Sequence, residues 1–277
     1  MDVKGDGAMI GIMQGRLTPM VGNKIQCFPE KFWKAEFFIA EALGFSIIEW
    51  TLDRKNIADN PFFKSTTEVK HLLEISNIAV PSVTYDAAMQ SPLVFDGVIN
   101  DAEVELLIKV LDQACNLGLS LLVLPLVDQS SVTKQDYPAY VELLQKISTK
   151  FLSEEMKIAV ESDFPPILLK NFIRDIGSSF VGVNYDVGNS SSLGYDFSEE
   201  MAFTGPDILN IHVKDRPPNG VTCPLGKGTA GLEDKLAYLS KNFSKLNMII
   251  QGARSKNGDD IGVALDYLNF VKKATRQ

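Results

Sequence analysis

Four short apolar runs each end in a side chain able to bind a divalent cation. KIAVES carries Glu161, FVGVNYD carries Asp186, ILNIHVKD carries His212 and MIIQ ends in Gln251. Two carboxylates, an imidazole and an amide oxygen form a ligand set of the N/O type that divalent metals take. Singly, each has an ordinary explanation. A glutamate at the end of a run is most often solvated, an aspartate beside glycine is a common turn former, and a histidine among apolar residues is usually a hydrogen-bonded core residue. The inference rests on their conjunction at four successive runs. The chain's other histidine, His71 in EVKHLLEIS, lies in a helical period without partners and is read as structural.

For these groups to meet, the runs must be neighbouring strands that end on one side of a sheet. Strands are expected at residues 8–13, 45–50, 78–85, 121–126, 157–162, 180–186, 208–215 and 248–251. Several are continuous Val/Ile/Leu, as in parallel strands covered on both faces. A turn and a helical period follow each. From Asn100, with Glu103 three residues on, apolar Val104, Leu107, Ile108 and Leu111 recur at helical spacing until Gly118. The sixth unit is shorter, with room between Asp186 and Asp207 for a long loop and a short helix around Glu199 and Glu200. Strand-plus-helix units repeated in this way predict a (β/α)8 TIM barrel, a single domain over residues 1–277 with residues 1–7 flexible. A doubly wound sheet is the weaker alternative, because no G-x-G-x-x-G follows the first strand.

Composition narrows the partners. The chain has 277 residues, 45% of them hydrophobic, and a formal net charge of -8. That charge disfavours nucleic acid. No run is long enough for a membrane span, and the start MDVKGDG lacks the order of a signal peptide, so a cytoplasmic protein without membrane contact is expected. Cys27, Cys115 and Cys223 are far apart and lack CxxC spacing, which predicts reduced thiols.

In a TIM barrel, active residues lie at the C-terminal ends of the strands. Beyond the four above, those ends carry Gln14, Arg16, Glu49, Tyr85, Asp86, Asn189, Lys214, Asp215 and Arg254. Gln14, Arg16, Glu49, Asn189, Lys214, Asp215 and Arg254 are candidates for substrate binding. The loops PLGKG and GARSK follow strands seven and eight, where barrels frequently bind phosphate, so Gly226, Gly228, Ser255 and Lys256 are phosphate candidates.

The segments GIMQGRL, GFSIIEW, AVESD, NYDVGNSSSLGYD, IHVKDR and PLGKG together resemble the xylose isomerase-like TIM barrel superfamily of sugar phosphate isomerases and epimerases. The resemblance covers nearly the whole chain. It implies one divalent ion (Mn, Mg, Co or Zn) held by residues of strands five to eight, of which Glu161, Asp186 and His212 match the family pattern. Gln251 stands where a second glutamate is expected, and Asn189 where a histidine commonly follows the aspartate. The resemblance also implies a sugar or sugar phosphate as substrate and is compatible with a homo-oligomer.

Gln251 can offer a carbonyl oxygen to a hard cation but cannot exchange a proton near neutral pH. Epimerisation usually uses two acid/base groups, whereas aldose–ketose isomerisation can run on a single base. The expected enzyme is therefore a metal-dependent sugar isomerase or epimerase working through a metal-stabilised enediolate. Glu161 is its catalytic base, and aldose–ketose isomerisation is favoured unless Asp86, Glu49 or Lys214 supplies a second base. An inosose dehydratase-like lyase and a degenerate non-catalytic sugar-binding barrel are the alternatives. The superfamily it resembles also contains endonuclease IV, a reading disfavoured because a zinc cluster would want more histidines than the two present and nucleic acid a basic face.

Overall fold

The computed structural model describes residues 9–22, 24–151 and 155–276; residues 1–7, expected to be flexible, lie outside them. Eight parallel strands close into a barrel. They are β1 (Ile10–Met13), β2 (Ile47–Thr51), β3 (Ser82–Thr84), β4 (Leu121–Leu126), β5 (Lys157–Ser162), β6 (Val181–Asp186), β7 (Ile208–Val213) and β8 (Met248–Ile250). Helices α1 (Trp33–Leu43), α2 (Thr66–Ile75), α3 (Asp101–Asn116), α4 (Tyr137–Lys150), α5 (Pro166–Ile176), α6 (Phe197–Thr204), α7 (Leu232–Asn242) and α8 (Asp260–Thr275) each follow the strand of the same number. The (β/α)8 barrel expected from the repeated units is the fold observed. Among the described residues no helix is long and apolar enough to cross a membrane.

Strand alternation divides the apolar residues into two sets. Ile12, Ile48, Trp50, Val83, Leu122, Val160, Val183 and Ile211 join the large core beneath the helices. Met13, Ile47 and Ile249 form a separate cluster, as do Leu121, Val123 and Ala159; these fill the barrel interior. Trp50 anchors the outer core on the β2 side, with the rings of Phe28, Trp33, Phe37 and Phe62 at 5.5, 5.7, 6.4 and 6.1 Å and its indole N–H donated to Asn60 Oδ1 at 3.2 Å.

Two departures from the sequence reading have local causes. The short helix expected around Glu199 and Glu200 is present (α6), but a further short helix stands where a long loop was expected after β6. Asp186 Oδ1 accepts from Gly188 N–H at 3.0 Å and Asn189 N–H at 2.8 Å, which starts a helix over Val187–Leu193 directly at the strand end. Secondly, a small antiparallel hairpin (Val94–Phe95 with Val98–Ile99) precedes α3; its runs are too short to stand out in the sequence.

Gly11 of β1 pairs with Ile47 and Ile249 in the interior layer. A methyl group there would lie 2.7 Å from Ile249 Cδ1 and 2.8 Å from Ile47 Cβ. Overpacking a filled layer typically costs ~1–3 kcal/mol. Gly11→Ala is expected to lower the free energy of urea unfolding by about that amount; an unchanged midpoint would show that the layer yields.

Candidate active site

The interior of the barrel changes from apolar to polar toward the C-terminal ends of its strands. Period-two alternation puts Glu49 two residues after Ile47, Asn184 two before Asp186, and Asn210 two before His212. Register pairs Asp186 with His212 across β6 and β7, and His212 with Ile249 across β7 and β8.

Glu49 and His212 are both fully buried. Imidazole Nε2 lies 2.7 Å from Glu49 Oε1. The same carboxylate accepts from Thr84 Oγ1 at 2.6 Å, Ser82 Oγ at 2.7 Å and Asn210 Nδ2 at 3.0 Å. Burial opposes charge on Glu49, but His212 and these donors outweigh it and hold Glu49 below its ordinary range. Burial likewise opposes an imidazolium, and the two flanking carboxylates Glu49 and Glu161 overcome it, pushing His212 up to about 10.

The other imidazole nitrogen, Nδ1, faces the mouth, 3.1 Å from Glu161 Oε2. Glu161 is held from both sides. Asn184 Nδ2 donates to Oε2 at 2.9 Å and Asn189 Nδ2 to Oε1 at 2.7 Å. Burial penalises its charge, but His212, Lys214 and Asn184 together keep it well below the usual carboxylate range, so Glu161 is ionised. Asn189 Oδ1 in turn accepts from Arg216 Nη1 at 2.7 Å.

Ligand atoms of Glu161, Asp186 and His212 lie within 4.8 Å of one another, and all three residues are buried. Asp186 spends Oδ1 on the two backbone amides; among the described residues Oδ2 makes no hydrogen bond, and the Lys214 ammonium lies 2.6 Å from it. This donor set fits a divalent ion. Two carboxylates and an imidazole suit it chemically, and a cation on Nδ1 would take the place of a proton while Glu49 keeps hold of Nε2, as carboxylates behind metal-bound histidines do.

The cluster opens into a cavity of about 980 Å³ at the C-terminal end of the barrel, lined among others by Arg16, Asp86, Glu161, Asn189, Lys214, Arg216 and Gln251. Of the expected substrate contacts, Arg16, Asn189 and Lys214 therefore face one space with Glu161. Glu36 sets the first of these. Its buried carboxylate accepts from the N–H groups of Gly15 at 2.9 Å and Leu17 at 3.1 Å, bending the chain after β1 so that Arg16 reaches the cavity. Gly15 has φ +88°, and a side chain there would collide with the Cys27 carbonyl.

The remaining candidates are placed elsewhere, each for a visible reason. Gln14 is buried and accepts from Thr51 N–H at 3.2 Å. Glu49 lies below the cavity with its oxygens occupied as described. Asp215 spends its carboxylate on Gly228 N–H at 2.9 Å and Ala230 N–H at 3.2 Å, which also removes Gly228 as a free phosphate donor. Arg254 clamps the carbonyls of Gly15 and Thr18 and pairs with Asp260 at 2.8 Å. Ser255 gives its N–H to Asp260 Oδ1 at 2.9 Å and its hydroxyl to Asn257. Gly226 turns with φ +76° against Phe270, and Lys256 is exposed on the loop. None of these lines the cavity. Asn184, Asn210, Arg216 and Gln26 were not singled out from sequence. For the two interior asparagines the signal was present: each shares a strand face with a ligand two residues on.

The profile of the xylose isomerase-like TIM barrel family matches residues 37–271. The chain belongs to that family. Two curated relatives are provisionally named L-ribulose-5-phosphate 3-epimerases. The one from Mycoplasma pneumoniae is 22% identical over 79% of this chain and 76% of its own length, and the one from Haemophilus influenzae is 26% identical over 83% and 86%. A solved structure of an IolI protein with a bound zinc atom superposes with a TM-score of 0.73 at 15% identity, covering 96% of this chain and 99% of the other. The isomerase or epimerase class expected from the family resemblance is that of the curated relatives.

If Glu49 orients the metal-binding histidine, Glu49→Gln weakens divalent-ion affinity ~10–100-fold, the usual effect of losing such a partner. Calorimetric titration with Mn²⁺ measures this; unchanged affinity in a folded variant would show that Glu49 is structural only.

Proposed function

We propose that the protein is a divalent-metal-dependent sugar or sugar-phosphate isomerase/epimerase that removes a proton from the carbon next to a carbonyl. The observation that carries this reading is the Glu161–Asp186–His212 cluster at the ends of three successive strands, open to a cavity of about 980 Å³, which has ample room for a sugar or sugar phosphate. Glu161, Asp186, His212 and the amide oxygen of Gln251 would hold the ion. When bound, such an ion acts as a Lewis acid on the substrate carbonyl.

The protein's own groups then have separable tasks. Ionised Glu161, fixed by Asn184 and Asn189, accepts the proton. Asn189 and Arg216 form one wall, Arg16 another, and both offer donors to sugar hydroxyls. Lys214 neutralises the carboxylates of Asp186 and Glu161. Both curated relatives carry 3-epimerase names, which supports epimerisation of a ketose or ketose phosphate. Aldose–ketose isomerisation by Glu161 alone is the second reading, and the amide at Gln251 is the observation that favours it.

Two measurements test the assignment. Purified wild type is expected to hold one divalent ion per chain by elemental analysis, lost in Asp186→Ala. With Mn²⁺, a panel of ketopentoses, ketohexoses and their phosphates should yield at least one substrate, on which Glu161→Gln lowers kcat by ~10²–10⁴-fold, the range for a general base. A metal-free wild type that turns over no member of the panel would instead identify a sugar-binding barrel without catalysis.

A further inference from the structure

Several titratable groups at the cavity have no task in the reaction above, and one of them is set apart by its surroundings. The carboxylates that bear on the cavity are Asp53, Asp86, Asp128, Glu161 and Asp163. Asp53 is held by Phe28 N–H at 2.8 Å and Gln90 Nε2 at 3.2 Å. Asp128 is exposed, and Asp163 accepts from the Ser131 hydroxyl. Asp86 differs from all of them. It is buried, directly after β3, and only one of its oxygens is engaged. Gln26 Nε2 donates to Oδ2 at 2.6 Å, and Gln26 is itself fixed by Arg16 Nη2, which donates to its Oε1 at 3.1 Å. Oδ1 is shielded from solvent and has no hydrogen-bond partner among the described residues.

We propose that Asp86 is the second acid/base of this active site, taking the role that Gln251 cannot fill, so that the enzyme epimerises its substrate with Glu161 and Asp86 as the pair. The assignment rests on the proton-abstraction reading given above and specifies it. Glu161 comes from β5 and Asp86 from β3, so the two carboxyl groups enter the mouth from different strands. The Gln26 hydrogen bond to Oδ2 orients the carboxyl group, which lines the cavity and has no second donor among the described residues to hold it ionised. Burial pushes Asp86 up to about 7; the Gln26 hydrogen bond and His212 oppose this, while Asp53 and Glu161 add to it. Both protonation states are thus populated near neutrality, as a group that donates in one direction and accepts in the other requires.

The step balances without a co-reactant. Glu161 takes the proton from the carbon beside the carbonyl, and the C–H electron pair becomes the enediolate double bond. The carboxyl O–H bond of Asp86 then breaks and its proton forms a new C–H bond on the opposite face of the same carbon, restoring the carbonyl. Glu161 ends with one proton more and Asp86 with one fewer, and exchange with water in the cavity resets them.

The test is epimerisation and isotope exchange in D₂O, followed by NMR with Mn²⁺-loaded enzyme on the same sugar panel. Asp86→Asn is expected to lower epimer formation by ~10²–10⁴-fold while deuterium still enters the substrate carbon with retained configuration at a rate within a few-fold of wild type. Glu161→Gln should lose both. Adding Gln251→Glu to Asp86→Asn should restore epimer formation, because it returns a carboxylate to the mouth. Wild-type epimerisation by Asp86→Asn overturns the assignment and leaves the reading above intact. Loss of both signals in Asp86→Asn also overturns it, since Asp86 would then act before the second proton transfer. A wild type that labels no sugar removes the reading itself and the assignment with it.

Discussion

The buried contact between Glu49 and His212 governs the rest of the site. Both side chains lie inside the barrel without solvent, where opposite charges interact strongly but each is costly alone. Ser82, Thr84 and Asn210 supply the hydrogen bonds that make the carboxylate tolerable there. Removing one partner of such a pair typically costs ~3–5 kcal/mol because the other is left uncompensated. The pair therefore fixes the imidazole in one orientation, with Nε2 committed to the floor and Nδ1 directed at Glu161. The geometry at the mouth follows from that commitment.

Above this layer, each charged group is positioned by an uncharged one. Asn210 Nδ2 also donates to Asn184 Oδ1, at 2.9 Å, so the amides of β6 and β7 link Glu49 to Glu161. Asn189 holds Glu161 from the cavity side and is itself held by Arg216. As the proposed base, Glu161 is preorganised: its orientation is set before a substrate arrives, and little reorganisation is left for the reaction. Asp186 uses the same economy at the helix start, giving one oxygen to backbone and keeping one for a cation.

Much of this was legible in the sequence, and the limits were physical. Buried parallel strands read as uninterrupted apolar runs, so all eight strands were found within a few residues, and Glu161, Asp186 and His212 stood at their ends. Strand-end position alone does not say whether a polar residue reaches the mouth or stays inside. Glu49 pairs in register with Met13, an interior residue, and so belongs to the layer below. Arg254 and Asp215 have the chemistry of ligand binders, but backbone groups distant in sequence claim them first. The Gln26–Asp86 link could not be read from the chain either, because it joins the loop after β1 to the end of β3.

The amides at 251 and 189, where the sequence resemblance implies a glutamate and a histidine, make physical sense together. A glutamate at 251 would add a further carboxylate to Glu161 and Asp186, a repulsion that a divalent ion must offset. With an amide there, the mouth already approaches charge balance, because Lys214 sits on Asp186 and Arg216 on Asn189. A histidine at 189 could not accept Arg216 and donate to Glu161 without holding one particular tautomer, whereas the asparagine amide does both in its neutral form. The exchange of acid for amide at 251 and of imidazole for amide at 189 thus gives a site whose charges are set by lysine and arginine rather than by protons. In such a site Glu161, kept ionised against its burial by His212 and Lys214, is ready to take up a proton, and a proton returned to the opposite face must come from a group outside that balanced set.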